Sequence, residues 1–500
     1  MKRLRFSRKA ISNALAAGII VIVLVAAVAA AYVLTSSRPS TLTSTVTSTV
    51  SASSMAISSS SMASSGPVTI NAISFDQGLI WTDLWNASTG QPLPPLLQFE
   101  QKYNININVE FADEATVRQK VQTDINSGTG HYDITLADSS NLVDVYSNAG
   151  LLYPLNDFYT PGSAMYTPSP FFNYTDYLPQ ALKMLTLGNN LYALPYFTFA
   201  SSFNYRADLF AKYNVQVPTT VNQLMTVTLP ALKAGMQADG SYGSVYPIAV
   251  RGEPKETTAL DVNGFIYGYG GCWFQGCYWN KTAIVANHAL PTFNSTAVVD
   301  AIQAYATLGK DYSTPDSPSY DFSKEISLYQ AGKAAILFPQ SVNAFVAQEG
   351  AAASIGSQMK YAPTVTGPTG LPLDELWSLS FGISKLTHYP EQAWLALTFL
   401  CGYDRQLYFA THYFPNPSLL SVLLSPDVTK VWGVGTMQIM INGLNAANPH
   451  FIPNIPETNA INVEIGEVTS AVMAGSMTAQ QAGQTLQNFA TTLLYADNYY

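Results

Sequence analysis

Cys272 and Cys277 have the most explicit chemistry in this sequence. They sit in Gly270-Gly271-Cys272-Trp273-Phe274-Gln275-Gly276-Cys277, a glycine-punctuated loop able to close a small disulfide in an oxidising compartment. A metal centre fits poorly, because no third or fourth ligand accompanies the pair. Cys401, in an apolar helical stretch, reads as a buried free thiol. Catalytic patterns are missing: no G-x-S-x-G elbow, no H-E-x-x-H, no Gly-rich phosphate loop and no EF-hand loop. The five histidines are scattered without metal spacing. Paired carboxylates can serve glycoside hydrolysis, but nothing in the sequence sets two of them face to face. Binding is favoured over catalysis, with no cofactor and no metal. Asp76 and Gln77 follow one apolar β segment and Asp138 follows another, as polar groups at strand ends.

The elements that must position these groups alternate. Val68 to Phe75 reads as a strand. Ile105, Ile107, Val109 and Phe111 alternate with Asn106, Asn108 and Glu110, a period of two with one wet face. Asp113 is a candidate N-cap for a helix striped by Val117, Val121 and Ile125 and closed by Gly128. Tyr132 to Ala137 reads as a third strand and Asn141 to Ala149 as a helix. That order predicts an α/β sheet with covered faces, whose ligands gather at the carboxyl ends of its strands. Later helices carry stripes at Val298, Ile302 and Tyr305, from Ser323 to Gly332, from Pro390 to Gly402, and from a Thr478/Gln481 capping box onward. These stripes read as core faces.

The N-terminus reads as an anchor and a stalk. Lys2, Arg3, Arg5, Arg8 and Lys9 precede a run without charge from Ala10 to Ser37. About twenty apolar residues make roughly 30 Å of helix, the thickness of a bilayer core, and the basic flank stays inside. Everything beyond Leu34 is then expected outside. Residues 1–10 form a basic signal segment, 11–34 a transmembrane anchor and 35–66 a linker composed mostly of Ser and Thr. Such a linker has too little to bury to offset its ordering entropy and should be disordered, a natural carrier of O-glycans. A cleaved secretory signal is the alternative. Lys9-Ala10-Ile11-Ser12-Asn13 resembles the cleavage site of archaeal class III signal peptides, which implies a cut between Ala10 and Ile11 with the helix retained.

Residues 67–500 are enough for two cores. Charged residues make up 11% of the chain and the net charge is −9, which leaves no footprint for nucleic acid. Sparse charge beside 30 Tyr suits a surface exposed to acid. Sequons at Asn86, Asn173, Asn280 and Asn294 agree with an external location.

A series of segments then resembles one family. Phe99-Glu100-Gln101-Lys102-Tyr103-Asn104-Ile105, Asn126-Ser127-Gly128-Thr129-Gly130-His131-Tyr132-Asp133-Ile134 and Asn148-Ala149-Gly150-Leu151-Leu152-Tyr153-Pro154-Leu155 come first. Leu191-Tyr192-Ala193-Leu194-Pro195-Tyr196 follows, running to Phe203-Asn204-Tyr205-Arg206-Ala207-Asp208-Leu209-Phe210. Then come Pro218-Thr219-Thr220 and Gln330-Ala331-Gly332-Lys333-Ala334-Ala335-Ile336. In this order they resemble the carbohydrate-binding solute-binding proteins of ABC importers, the group of maltose-binding protein. Two positions depart from the pattern: Val221 stands where a tryptophan is usual, and Phe414-Pro415-Asn416-Pro417 lacks the usual arginine.

The resemblance implies a two-lobe periplasmic-binding-protein-like α/β fold with hinge crossovers and an interlobe cleft. Lobe 1 is expected at about 67–200 plus a later return segment, and lobe 2 at about 206–378 plus part of the C-terminal helices. Crossovers are expected at Tyr196 to Arg206 and at Leu379 to Ile383. It further implies a monomeric extracellular protein that captures a sugar or oligosaccharide by hinge closure and delivers it to permease subunits with a cytoplasmic ATPase. Peptide or another polar solute is the alternative, followed by a cell-surface carbohydrate-active enzyme. A sugar needs aromatic platforms rimmed by planar polar groups. The platforms implied are Trp377, Trp273 and Tyr196, while Trp394 and Trp432 read as core. The polar set is Asp76, Gln77, Asp138, Arg251, Glu253, Glu256 and Gln340.

Overall fold

The computed structural model describes residues 66–75, 80–86, 88–112, 114–137, 142–339, 348 and 351–499. The expected signal segment, apolar helix and linker lie outside the described residues, as do Asp76, Gln77, Asp113, Asp138 and Gln340. Among the described residues no helix is long and apolar enough to cross a membrane.

Two sheets carry the fold. The first contains β1 (Val68–Phe75), β2 (Ile105–Ala112), β3 (Ile134–Leu136) and β4 (Leu194–Ala200). The second contains β5 (Ser202–Arg206), β6 (Tyr246–Ala249), β7 (Ala334–Leu337) and β8 (Met359–Pro363). The chain then returns to the first sheet through β9 (Leu376–Ile383), so the strand orders are β2-β1-β3-β9-β4 and β8-β5-β7-β6. β1 pairs in parallel with β2 from Val68↔Ile105 to Phe75↔Ala112 and with β3 at Ala72↔Ile134. β9 enters antiparallel between β3 and β4, with Trp377 opposite Phe199.

The expected period of two in β2 is met at its start: Ile105 and Ile107 are buried while Asn106 and Asn108 are exposed. The helix that follows is α1 (Glu114–Ser127), which buries Val117 and Val121 against the sheet. The third strand is shorter than its apolar run, Ile134–Leu136, because only those residues find ladder partners.

The second sheet is covered by α2 (Glu256–Gly268), α3 (Thr296–Tyr312) and α4 (Phe322–Gln330). Val298, Ile302 and Tyr305 of α3 are fully buried, as their spacing requires. α4 begins at Phe322 rather than Ser323, because the Asp321 carboxylate caps the Lys324 amide at 2.8 Å. α5 (Pro390–Leu400) covers the first sheet, with Cys401 as its C-terminal cap, buried and free. α6 (Val434–Ala446) packs on strands of both sheets, β4 as well as β5 and β8. α7 (Thr458–Met473) and α8 (Ala479–Ala496) complete the second lobe, and α8 opens on the expected Thr478/Gln481 capping box.

Each sheet has its own core. Ile70, Ile73, Leu136, Phe381, Leu397 and Trp394 belong to the first, and Phe203, Ile248, Phe265, Tyr305, Ile461 and Leu486 to the second. A fully buried aliphatic or Phe side chain contributes about 1.5–3 kcal/mol, so each lobe is held mainly by its own interior. Trp394 is core, as its helix predicts: its ring stacks on Phe158 and its indole N–H donates to Thr167 O at 2.8 Å.

Three segments join the lobes: Ser201 between β4 and β5, residues 364–375 between β8 and β9, and residues 447–457 between α6 and α7. The first lies within the expected Tyr196 to Arg206. The second corrects the expectation of Leu379 to Ile383. Those residues are ladder-paired inside the first sheet and fully buried there, whereas Leu373 belongs to the second core and Leu376 to the first. The change of lobe therefore falls at Asp374-Glu375.

Candidate functional site

Among the described residues the two lobes meet most closely at the first two crossings, and hydrogen bonds tie these together. The Ser201 N–H donates to Asp374 Oδ1 at 2.6 Å, and the Glu375 N–H donates to Ser201 Oγ at 2.9 Å. α2 approaches this junction so closely that a Cβ at Gly264 would lie 2.8 Å from Asp374 O. Glycine at 264 is thus a packing requirement.

Trp377 stands two residues beyond Glu375, at the start of β9. It is half-buried, with its ring centroid 5.6 Å from both Phe197 and Phe199. The neighbouring rings hold one side of the indole in place and leave part of it accessible. A fixed, partly exposed indole at the junction of two lobes is the geometry a stacking platform requires.

Arg251, just past β6, is buried among carboxylates. Its guanidinium forms a two-pronged ion pair with Asp261 of α2, with Nε at 3.0 Å from Oδ2 and Nη2 on Oδ1. Glu325 of α4 lies 3.5 Å away and Glu375 3.6 Å away. Tyr305 of α3 donates to Asp261 Oδ2 at 2.8 Å. Burial alone would lower the Arg251 pKa, but Asp261, Glu325 and Glu375 more than offset this and hold it well above its ordinary value. Burial, then the charge of Asp261, pushes Glu375 well above the carboxylate range against the pull of Arg251. Burial also pushes Asp374 up to about 8, although the Ser201 amide and hydroxyl pull it down. Arg251 is therefore a structural cation that joins α2, α4 and the second crossing. It is not the solute contact expected from sequence, since three carboxylates already occupy its surroundings.

Two more expected platforms are corrected by their burial. Tyr196 is 1% exposed; its ring meets Trp81 and Phe409, and its hydroxyl donates to Arg405 O at 3.3 Å. Trp273 is equally buried, with its indole N–H on Asn263 Oδ1 at 2.7 Å and its ring against Phe293. Both fill cores: Tyr196 lies in a strand buried along its whole length, and Trp273 is held by Asn263 and Phe293. Glu253 is buried beside Arg251, accepting from the Thr257 hydroxyl and pairing with Lys255 at 2.8 Å. Glu256 is half-buried in the first turn of α2. Asp76, Gln77, Asp138 and Gln340 lie outside the described residues, next in the chain after Phe75, Ala137 and Pro339.

Cys272 and Cys277 are bonded, with Cα atoms 5.3 Å apart, as their spacing allows. Gly276 accommodates the loop with a φ of +75°. The segment after it is clipped to the third crossing: Asn280 bridges Asn454, and Trp279 stacks on His450 with centroids 3.7 Å apart. Burial, then Lys183, lowers His450 to about 4, so its ring is neutral in the stack. Sequence reasoning missed the junction group of Ser201, Asp261, Glu325, Asp374 and Glu375. The available signal was an acidic pair directly ahead of an apolar strand. A separate concavity of about 220 Å³ is lined only by lobe-1 residues, among them Phe171, Phe399 and Arg405, and lies outside this junction.

Known proteins share this architecture. The mannitol-binding protein of Pseudomonas aeruginosa is 24% identical over 416 residues, covering 77% of this chain and 85% of its own. A solute-binding protein of Agrobacterium radiobacter solved with ribitol superposes with a TM-score of 0.69 at 20% identity, over 86% of this chain and 99% of its own. A maltose-bound MalE3 of T. maritima superposes at 0.68 and 20% identity, over 85% of this chain and all of its own. The two superpositions extend over most of this chain and essentially all of the two solved structures. The profile of the bacterial extracellular solute-binding proteins matches residues 44–404, and the chain belongs to that family.

Proposed function

We propose that this chain is the extracellular solute-binding subunit of an ABC importer, which captures a sugar or polyol between its lobes by hinge closure and presents it to the permease. The observation that carries the reading is Trp377, a half-buried indole packed against Phe197 and Phe199 beside the second crossing. A flat apolar ring there suits the C–H face of a carbohydrate, and planar polar side chains suit its hydroxyl rim. Asp76, Gln77 and Asp138 would reach the solute from lobe 1, and Gln340, Glu253 and Glu256 from lobe 2. The relatives crystallised with ribitol and maltose, and the mannitol-binding relative, support this class of solute. A ligand shifts the hinge only by touching both lobes, since equal affinity for two forms shifts nothing.

The test is a thermal-shift panel of D-mannitol, ribitol, maltose and longer oligosaccharides. A solute at a hundred times its Kd stabilises by about 2.7 kcal/mol. A panel in which only peptides raise the melting temperature removes the sugar reading and leaves the fold. Release of product from an oligosaccharide selects an enzyme instead.

The membrane reading rests on the basic N-terminus and the apolar run to Leu34. The mature chain is expected to begin at Ile11 and to stay in the membrane fraction, as a monomer tethered by its helix. Mass spectrometry of native protein checks this, and a start in the thirties selects a released form.

The four sequons are not equivalent in the folded chain. Asn86, Asn173 and Asn294 are exposed. Asn280 is half-buried; its side chain accepts from Ala283 N at 2.9 Å as a helix cap, and its backbone bridges Asn454. If glycans are added after folding, mapping of native peptides should find them at Asn86, Asn173 and Asn294 and find Asn280 bare.

A further inference from the structure

Four acidic side chains converge on the junction of the lobes, and Arg251 pairs with three of them. Asp374 and Glu375 form the second crossing itself, and Asp261 and Glu325 come from helices of lobe 2. All four are buried, as are Ser201 and Arg251. Arg251 pairs most tightly with Asp261, while Glu325 and Glu375 stand half an ångström or more farther out. Were every carboxyl ionised, the group would hold uncompensated negative charge away from water, which costs several kcal/mol per ion. Asp374 is more isolated still. Its Oδ1 accepts from the Ser201 amide, while its Oδ2 is buried with no hydrogen-bond partner among the described residues.

The groups that face these acids are few. Ser201 of the first crossing and Tyr267 of α2 face Asp374. Arg251, Asp261 and Glu325 face Glu375, and Tyr305 of α3 donates to Asp261. Arg251 is the cation that pairs with Asp261, Glu325 and Glu375 among the described residues. The geometry favours neutral acids at the crossing, and burial raises both from their ordinary range, Asp374 to about 8.

We propose that the second crossing is a proton-sensitive latch, in which neutral Asp374 and Glu375 hold the interlobe geometry seen here and their ionisation releases it. The position makes this a hinge effect as well as a stability effect. Ser201, Asp374 and Glu375 are the residues that link the two sheets, and rotation of one lobe on the other must change their backbone angles. A form that admits water to Asp374 returns its acidity toward the ordinary value. The sign follows from proton linkage. This geometry binds the Asp374 proton more tightly than a hydrated form does. It is therefore most favoured below the ordinary carboxylate range and loses ground steadily as pH rises towards 8. Above that the full cost is present and the dependence levels off. Each pH unit in that window shifts the balance by at most about tenfold per proton released.

The test reads the hinge without any solute, so it stands apart from the proposed sugar binding. Spin labels at Gln101→Cys and Gln237→Cys, exposed positions on lobes 1 and 2, report the interlobe distance in the full chain in detergent. As pH rises from 4 to 8, the ligand-free chain is expected to move from one distance population to a second by tenfold or more. Asp374→Asn keeps the acceptor for Ser201 and removes that residue's titration, and should move between the populations less than the parent does, Glu375 being left to titrate. Glu375→Gln provides a second variant should Asp374→Asn fail to fold. A pH-independent distance in the parent, or the same pH response in the folded variants, overturns the latch. D-mannitol affinity measured across the same range is expected to change with pH in the parent and to be flatter in Asp374→Asn. If no sugar or polyol of the panel binds while the distance still responds, the solute class fails and the latch stands.

Discussion

Replacing Trp377 with alanine is expected to weaken sugar or polyol binding tenfold or more, about 1.4 kcal/mol, while the protein still folds. The binding loss follows from the ring's position. Its backbone pairs with Phe199 in the ladder between β9 and β4, which alanine preserves. The side chain is only half-buried, and Phe197 and Phe199 stay anchored on β4 without it. Removing the ring therefore takes away an exposed platform more than a core filler. Trp377→Phe should recover part of the loss, because a smaller flat ring still offers an apolar face. Calorimetric titration with D-mannitol and maltose measures the affinity, and far-UV circular dichroism checks the fold. A variant that binds every sugar as the parent does would place the site elsewhere.

Arg251→Ala should be the most damaging single change to the folded state, costing about 3–5 kcal/mol, because it strands buried carboxylates without their cation. The guanidinium has its two closest contacts on Asp261, with Glu325 and Glu375 at 3.5 and 3.6 Å. These partners come from α2, α4 and the second crossing, so the loss reaches lobe 2 and the hinge together. The pH dependence has the same sign as that of an ordinary surface pair and a larger amplitude, because the partners are buried. At neutral pH the carboxyls must ionise beside one another or take up protons, and at pH 4 protonation relieves the repulsion. The destabilisation measured by urea unfolding is thus expected to shrink as pH falls. Arg251→Met, which keeps the stem and removes the charge, should behave nearly as badly at pH 7. A cost below about 1 kcal/mol for both variants would show that the acids are neutral without the arginine.

Much of the architecture was legible as pattern. β1 occupies the whole run from Val68 to Phe75, and the start of β2 alternates buried Ile with exposed Asn as its period of two demands. The Thr478/Gln481 box caps α8, and Cys272 and Cys277 are joined. These features depend on residues close together in the chain, where spacing alone decides which side chains share a face or reach one another. The first crossing was legible through the family resemblance of Leu191 to Tyr196 and Phe203 to Phe210, and the chain changes sheets at Ser201. The second was misplaced by several residues. An apolar strand looks the same whether it crosses between lobes or lies inside one, and only its ladder partners distinguish the two.

The candidate site was less legible than the fold. Tyr196, Trp273 and Trp377 are each a large aromatic in a plausible segment, and nothing in their local sequence tells a platform from a core filler. The difference lies in neighbours distant in the chain. Arg405 offers its carbonyl to Tyr196 across 209 positions, and Asn462 supports the Asn263 amide that holds Trp273 across 199. Trp377 alone of the three keeps part of its ring uncovered. The same holds for the charged groups. Arg251, Asp261, Glu325 and Glu375 span more than a hundred positions and look like ordinary surface residues in the sequence. Periodicity, composition and length by themselves pointed to a sparsely charged α/β chain large enough for two cores. The tertiary structure decided which side chains face water and which carboxylates share one cation, because burial and Coulomb energy depend on distance in space and not on separation along the chain.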